Sequence, residues 1–298
     1  VEIQQLRHLI AAVEQGNLLK AADACNISQS GLSRSIKSLE TRLGIQLLIR
    51  KSKGVEPTIY GLSVMQRARL ILNEVGRSYE EVRAIQAADI GQVTFGITQN
   101  YAHYFIPDVL AELHGAKGGV RVVVVTGGFL ELVEQLREGA LDFAFGLLGP
   151  IEENSELIIE PLRDHHSRVI ARREHPLAAR EDEISPQDLA LARWATLRGE
   201  GFQKNFTGYF ASRGLKAPAQ TILTDSIDLI RQVVARVNVL SVLPPDIVLP
   251  ELQSGAFAIL DCEAPAEQTQ VGLLFRKDAF VTPQMKQMVD RIRKRLSR

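Results

Sequence analysis

The sequence predicts an α/β protein in three parts: an N-terminal winged helix-turn-helix, a long linker helix, and a two-lobed α/β binding domain. Three observations carry that expectation. Helical periodicity over residues 6–43 is broken at Gly16 and at 26–27, then gives way to a short two-strand pattern with a cationic tip. A single apolar stripe follows in the stretch after Thr58. From Gly91 onward, short apolar runs alternate with helical stretches.

The elements follow in order. In LRHLIAAVEQ, Leu6, Leu9, Ile10 and Val13 share one helical face. Gly16 stops that helix and Asn17 caps the next, which is short and Ala-rich from Leu18 to Cys25. Small side chains there let two helices approach closely. Asn26 and Ile27 make a tight turn, and Ser28 caps a third helix. Leu32, Ile36, Leu39 and Leu43 form its buried stripe, and Gly44 ends it. Ile27 is expected to anchor the segment together with Leu32 and Ile36. Ile45–Ile49 and Val55–Thr58 then flank Arg50-Lys-Ser-Lys-Gly54, a hairpin with cations at its tip.

Thr58 caps a helix expected to reach about Ala88. Met65, Ala68, Leu72, Val75, Tyr79 and Val82 recur at spacings of three and four, a heptad seam. A rod of that length is roughly 45 Å long at 1.5 Å per residue. One apolar stripe on such a rod favours a second copy of the chain as partner. Gly61 and Gly76 weaken the helix locally.

Beyond it, Val93–Ile97, Val120–Val125 and Phe143–Leu147 read as strands, with helices over 106–114 and 130–138. That is βαβαβ, hence a parallel sheet covered by helices. A second set follows: Glu156–Leu162, Ser167–Ala171, Trp194–Leu197, Gln220–Leu223 and Val239–Leu243, with helices near 203–213 and 226–236. The boundaries expected are 1–58 for the head, 59–89 for the linker and 90–298 for the body. Lobe I takes about 90–161 and 267–298, and lobe II about 162–266.

Length and composition agree with this plan. A chain of 298 residues suggests two domains and a third small element. Hydrophobic residues make up 45% and charged residues 23%, as in soluble globular proteins. The opening VEIQQLRHLI is charged, so no signal peptide is expected, and no apolar run is long enough for a membrane span. Cys25 and Cys262 are far apart with no CxxC, which points to a reducing, cytoplasmic setting. The formal net charge of zero hides a polarity: residues 1–58 carry eight Lys/Arg against five Asp/Glu. The linker is balanced and the body slightly acidic, which hints at an anionic partner for the head alone.

On a helix starting at Ser28, the residues Gln29, Ser30, Ser33, Arg34 and Lys37 face away from the buried stripe. Reading the major groove requires small side chains for close approach and a few long donors. Arg can donate bidentately to guanine and Gln to adenine. At the hairpin, Arg50 and Lys53 can reach phosphates or the minor groove.

These residues resemble a known family. LRHLIAAVEQGNLLKAA, then ISQSGLSRSIKSLETRLGIQLLIR, then T-x-x-G at Thr58–Gly61 are similar to the head of LysR-type bacterial transcriptional regulators. Gly91-Gln-Val-Thr-Phe-Gly96, Pro107 and Leu136-Arg-Glu-Gly139-Ala-Leu-Asp142 resemble the family's effector domain, in the right order. The chain departs from the pattern at Ser30-Gly31 in place of Pro-Ala, at Leu48 in place of Phe, and at Val237-Asn238-Val239 in place of a Gly-rich turn. The resemblance implies a winged helix-turn-helix, a dimerising linker helix and a periplasmic-binding-protein-like effector domain. It implies a homodimer, usually assembled into a tetramer, that binds double-stranded promoter DNA and a small-molecule effector, with RNA polymerase as a possible further partner. It places Gln29, Ser30, Ser33, Arg34 and Lys53 among the DNA contacts.

For the effector, Thr98, Gln99 and Asn100 follow the first body strand and precede a helix. Ligands bind beyond the carboxyl ends of strands in α/β sheets, and free N–H groups at a helix start suit an anion such as a carboxylate. The family's effector contacts include this position. Phe129, after Gly127-Gly128, and Phe202, in Arg198-Gly-Glu-Gly-Phe202, offer apolar contacts from the two lobes. An enzyme or a solute carrier on the same fold is the alternative class. G-x-S-x-G, HExxH and a Walker loop are all missing, so no catalytic residues, metal or cofactor are expected. His165-His166 beside Asp164 cannot place both rings on one strand face, and both are expected to lie in solvent.

Overall fold

The computed structural model describes residues 1–52, 54–86, 91–102, 105–114, 120–151, 156–265 and 269–296. The head comprises α1 (Ile3–Gln15), α2 (Leu18–Ala24), α3 (Gln29–Leu43) and the hairpin β1 (Leu48–Lys51) with β2 (Gly54–Pro57). Its ends are set as the sequence requires. Gly16 and Gly44 close α1 and α3 in the left-handed conformation. The Asn17 side chain accepts from Leu19 N and Lys20 N, and Ser28 Oγ accepts from Gly31 N. Leu9, Ala12, Ala21, Leu32, Leu39 and Leu47 are fully buried at the centre. Ile27 is not an anchor: at 36% exposure it stays at the surface, because the turn at Asn26, with φ 55, carries it off the stripe of Leu32 and Ile36.

The linker helix α4 (Ile59–Gln86) starts against the head. Thr58 Oγ1 accepts from Gly61 N and donates to Gln46 O. A side chain at Gly61 would put its Cβ 2.1 Å from Leu47 O. The T-x-x-G motif is therefore a cap plus a close approach. Ala68 is buried in the head cluster, Met65, Leu72 and Val75 are half-buried, and Tyr79 and Val82 are exposed.

Lobe I contains β3 (Gln92–Thr98), α5 (Gln99–Ala102), α6 (Ile106–His114), β4 (Arg121–Gly127), α7 (Phe129–Arg137), β5 (Phe143–Leu147) and β6 (Leu157–His165). Lobe II contains β7 (Arg168–Arg172), α8 (Pro186–Leu191), β8 (Trp194–Leu197), α9 (Glu200–Ala211), β9 (Gln220–Thr224), α10 (Ile227–Val234), β10 (Ser241–Leu243), α11 (Leu249–Gln253) and β11 (Phe257–Ile259). The chain then returns to lobe I as β12 (Thr269–Arg276) and α12 (Pro283–Leu296).

The expected parallel sheet holds for β4-β3-β5 only. The full order is β4-β3-β5-β12-β6, and β12 runs antiparallel to both its neighbours. Glu156–Leu162 therefore belongs to this sheet rather than opening a second set. The returning strand inserts beside it, a long-range pairing that local periodicity does not report. Lobe II holds β10-β7-β11 and the parallel pair β8-β9, joined through the Trp194–Leu240 bridge.

Each lobe has its own aromatic core. Phe95 stacks on Phe143 at 5.0 Å in lobe I, closed over by Met285, Met288 and Ile292 of α12. In lobe II, Trp194 meets Phe206 edge-on and donates from Nε1 to Leu189 O at 2.9 Å. Among the described residues, no helix is long and apolar enough to cross a membrane.

Candidate DNA interface and effector cleft

The head presents α3 by fixing its other sides. Leu32, Ile36 and Leu39 enter the core. Ser35 Oγ meets His8 Nδ1 at 2.7 Å and Ser38 Oγ accepts from Gln5 Nε2 at 3.2 Å, which sets the roll of α3 on α1. Burial holds the His8 imidazole below its ordinary pKa. Gln29, Ser30, Arg34 and Lys37 are left exposed, and Ser33 is half-buried at the base of the same edge. Ser30 Oγ lies 3.1 Å from Ser28 Oγ and so shares the cap.

Between α3 and the hairpin lies a groove of about 490 Å³ whose lining includes Ser33 and Lys37 on one side and Ile49 and Arg50 on the other. Among the described residues, Arg34, Lys37 and Arg50 have no carboxylate partner, whereas Lys51 pairs with Glu56 at 3.4 Å. Unpaired cations flanking a groove attract a polyanion at little desolvation cost. Arg50 sits within β1 opposite Val55, not at the tip. Lys53 lies outside the described residues. The groove's width depends on Glu40, a residue that no DNA-reading pattern singles out. Its Oε1 accepts from Leu47 N at 2.9 Å and Leu48 N at 3.2 Å, tying β1 to the recognition helix.

In the body, the predicted effector residues have separate roles. Thr98 is buried, and its Oγ1 accepts from Leu147 N at 3.1 Å, clamping the ends of β3 and β5 together. That hydroxyl is engaged inside the protein. Gln99 is exposed, and the side chain of Asn100 is outside the described ones. The α5 turn is only four residues long, so it supplies little helix dipole. Phe129 is half-buried: a side chain at Gly149 would put its Cβ 2.7 Å from the Phe129 ring. Phe202 is half-buried too and stacks on Phe206 at 5.9 Å, so part of the ring belongs to the lobe II core. Arg198, at the end of β8, is exposed and pairs with Asp225 at 3.0 Å.

His165 is not in solvent as expected. It is buried, and its Nδ1 lies 2.8 Å from Tyr101 Oη. Burial and the Arg163 charge push its pKa down to about 4, so it is neutral near pH 7. His166 alone is the exposed member of the pair. The antiparallel β6–β12 pairing turns His165 inward, and a dipeptide pattern carries no sign of that. No cluster of metal-ligating side chains occurs among the described residues.

A helix-turn-helix head with open cations, a long helix and a two-lobed body define a DNA-binding transcriptional regulator with an effector-binding domain. The chain belongs to the LysR family. The family model described as LysR substrate binding domain matches residues 86–297, and that of the bacterial regulatory helix-turn-helix protein, lysR family, matches residues 3–62. It is a regulator and not an enzyme. Among curated proteins it is 29% identical to the SDS degradation transcriptional activation protein of Pseudomonas sp. (strain ATCC 19151), over 95% of this chain and 92% of that one. It is 28% identical to a hydrogen peroxide-inducible genes activator of Pectobacterium carotovorum subsp. carotovorum, over 99% and 97%. Among solved structures, full-length CbnR complexed with its target DNA superposes at TM-score 0.66 with 22% identity, covering 99% of this chain and 100% of that one. LysG from Corynebacterium glutamicum with bound effector Arg gives 0.66 with 18% identity, covering 100% and 98%. At those identities the likeness establishes the fold.

Proposed function

We propose that Gln29, Ser30, Ser33, Arg34 and Lys37 read promoter DNA in the major groove while Arg50 and Lys53 hold the backbone. The observation that carries this is the groove between α3 and β1, flanked by Lys37 and Arg50, which have no carboxylate partner among the described residues. The protein acts as a homodimer joined along α4 and assembled into a tetramer. The exposed Tyr79 and Val82, at 67% and 52%, support a second copy there. The setting is the cytoplasm, where promoter DNA, RNA polymerase and metabolites are together.

A small effector bearing an anionic group binds between the lobes. Gln99, Asn100, Phe129 and Phe202 contact it, and Arg198 supplies the cation. Thr98 serves from below, by holding the floor of the site in register. The bound effector of LysG is the precedent for a ligand in this kind of body. A redox signal has less support: burial pushes the Cys262 thiol up to about 11, which suppresses the reactive thiolate.

Thermal-shift measurements against small carboxylates, amino acids and matched neutral amides test the effector reading. A ligand that binds only the native state raises the unfolding midpoint. A carboxylate is expected to do so and to alter the footprint on the chain's own upstream DNA. Stabilisation by the neutral amides alone would refute the anionic assignment.

A further inference from the structure

The L-x-x-G-x-L-D stretch, Leu136–Asp142, puts Leu136 and Leu141 in the core cluster that Phe129 packs against. Its polar groups turn instead to the linker helix. Glu138 Oε1 pairs with Arg69, and Glu138 O accepts from Asn73 Nδ2 at 2.7 Å. Asp142 Oδ1 pairs with Arg77 at 3.1 Å. Residues 69, 73 and 77 are one helical row. Beside them Glu74 Oε1 accepts from Arg276 Nη2 at 2.7 Å, and the Arg276 side chain is only 6% exposed. Gly139 has φ +72, and a Cβ there would lie 2.6 Å from Arg276 Nη1 and 2.8 Å from Leu70. A side chain there would be strained at that φ and would displace the guanidinium.

We propose that Glu138–Asp142 and Arg276 form a releasable polar latch for the linker helix, and that the latch carries effector-driven movement of lobe I to the DNA-binding head. Among the described residues, the apolar clusters of the body contain no α4 side chain. Partly buried ion pairs hold the contact, Arg69–Glu138 at 28% and 21% exposure and Arg77–Asp142 at 27% and 16%, and salt and water compete with them in part. Among the described residues, Arg276 Nε meets Asp278 Oδ1 only at 3.4 Å and Nη1 makes no hydrogen bond, so release would hydrate a cation that is costly to bury. Both features bring the latched and released states closer in free energy.

The connections run both ways. α7 begins at Phe129 and is capped at its far end by Glu138. Asp142 Oδ2 also accepts from Thr94 N at 2.7 Å, on the strand that ends at Thr98. On the other side, Arg69 Nη2 donates to Glu14 Oε1 at 2.7 Å, at the end of α1. Arg69 thus touches head, linker and body at once. The regulatory half of this proposal rests on the effector reading above; the latch itself does not.

The test uses the full chain and two variants outside the DNA face and the cleft, Glu138→Lys and Arg77→Ala. Hydrogen exchange over residues 66–78 is expected to quicken about tenfold in each, as local opening becomes easier. Raising NaCl from about 50 to about 500 mM should reproduce this in the wild type and change Glu138→Lys little. The footprint on upstream DNA should change in extent, while affinity for a short half-site duplex stays the same. Unchanged exchange in both variants, or faster exchange with an identical footprint, overturns the proposal. Wild-type protein that protects no upstream DNA would overturn the regulatory reading, while the exchange measurement still decides the latch.

Discussion

Arg34 and Arg50 carry the same charge and differ in what holds them. Arg34 projects from a helix whose roll is set by three apolar contacts and two hydrogen bonds, so its guanidinium can meet one base edge repeatedly. Arg50 projects from a hairpin strand, and in the proposed complex it meets a backbone that is alike in every sequence. Arg34→Ala is therefore expected to cost about 1–3 kcal/mol on the preferred site and to relax preference at one or two base pairs. Arg50→Ala should weaken all sequences evenly and lower the salt slope by about 1. Binding isotherms over a salt series separate the two; an even loss for Arg34→Ala would count against base reading. His165 gives a pH signature. Its folded pKa, about 4, lies below the 6.5 of an unperturbed imidazole. The unfolded chain therefore takes up the proton first as pH falls. The stability this group contributes is full above 6.5 and is lost toward pH 4, on the order of 3 kcal/mol in all. An imidazole titration by NMR checks it, and a midpoint at or above 6.5 would contradict the buried geometry.

The recognition helix and the wing are separate in sequence and joined by Glu40. One carboxylate oxygen accepting two backbone N–H groups fixes how far β1 stands from α3. Glu40→Ala should leave α3 on its core and loosen the hairpin, so footprinting should lose the wing's protection before that of the major groove. If both fade together, Glu40 supports the whole head and not the wing. Gly31 is a second point at this scale. Alanine there gains up to about 1 kcal/mol of helix propensity. Its Cβ, however, would stand 3.2 Å from Ser28 Oγ, the cap that starts the helix. The head is expected to gain less than that full amount, and thermal unfolding of Gly31→Ala measures the difference.

At the scale of the molecule, α4 has two different surfaces. One is committed to its own chain through Ala68, the charges at 67, 69, 74 and 77 and the Asn73 amide. The other leaves Tyr79 and Val82 in solvent. Tyr79→Glu with Val82→Glu should shift the protein toward monomer in sedimentation without disturbing the latch. An unchanged sedimentation coefficient would place the dimer contact elsewhere. The heptad spacing foretells an apolar seam, but not that the same helix also carries the body's ion pairs, because charges on a helix face look alike whether they meet water or a domain.

Much of the protein is legible in its sequence alone. The caps at Asn17, Ser28 and Thr58, the stripe of Leu32, Ile36 and Leu39, and the strand–helix alternation are local, set by residues a few positions apart. Local rules reach them because backbone donors and periodic apolar faces are satisfied within one element. Tertiary structure decides the rest. β12 enters antiparallel between β5 and β6, His165 turns inward against Tyr101, and the Thr98 hydroxyl closes on Leu147. Gly139 makes room for Arg276, which lies far along the chain. These arrangements depend on partners distant in sequence, and nothing in the spacing of nearby residues selects one distant partner over another.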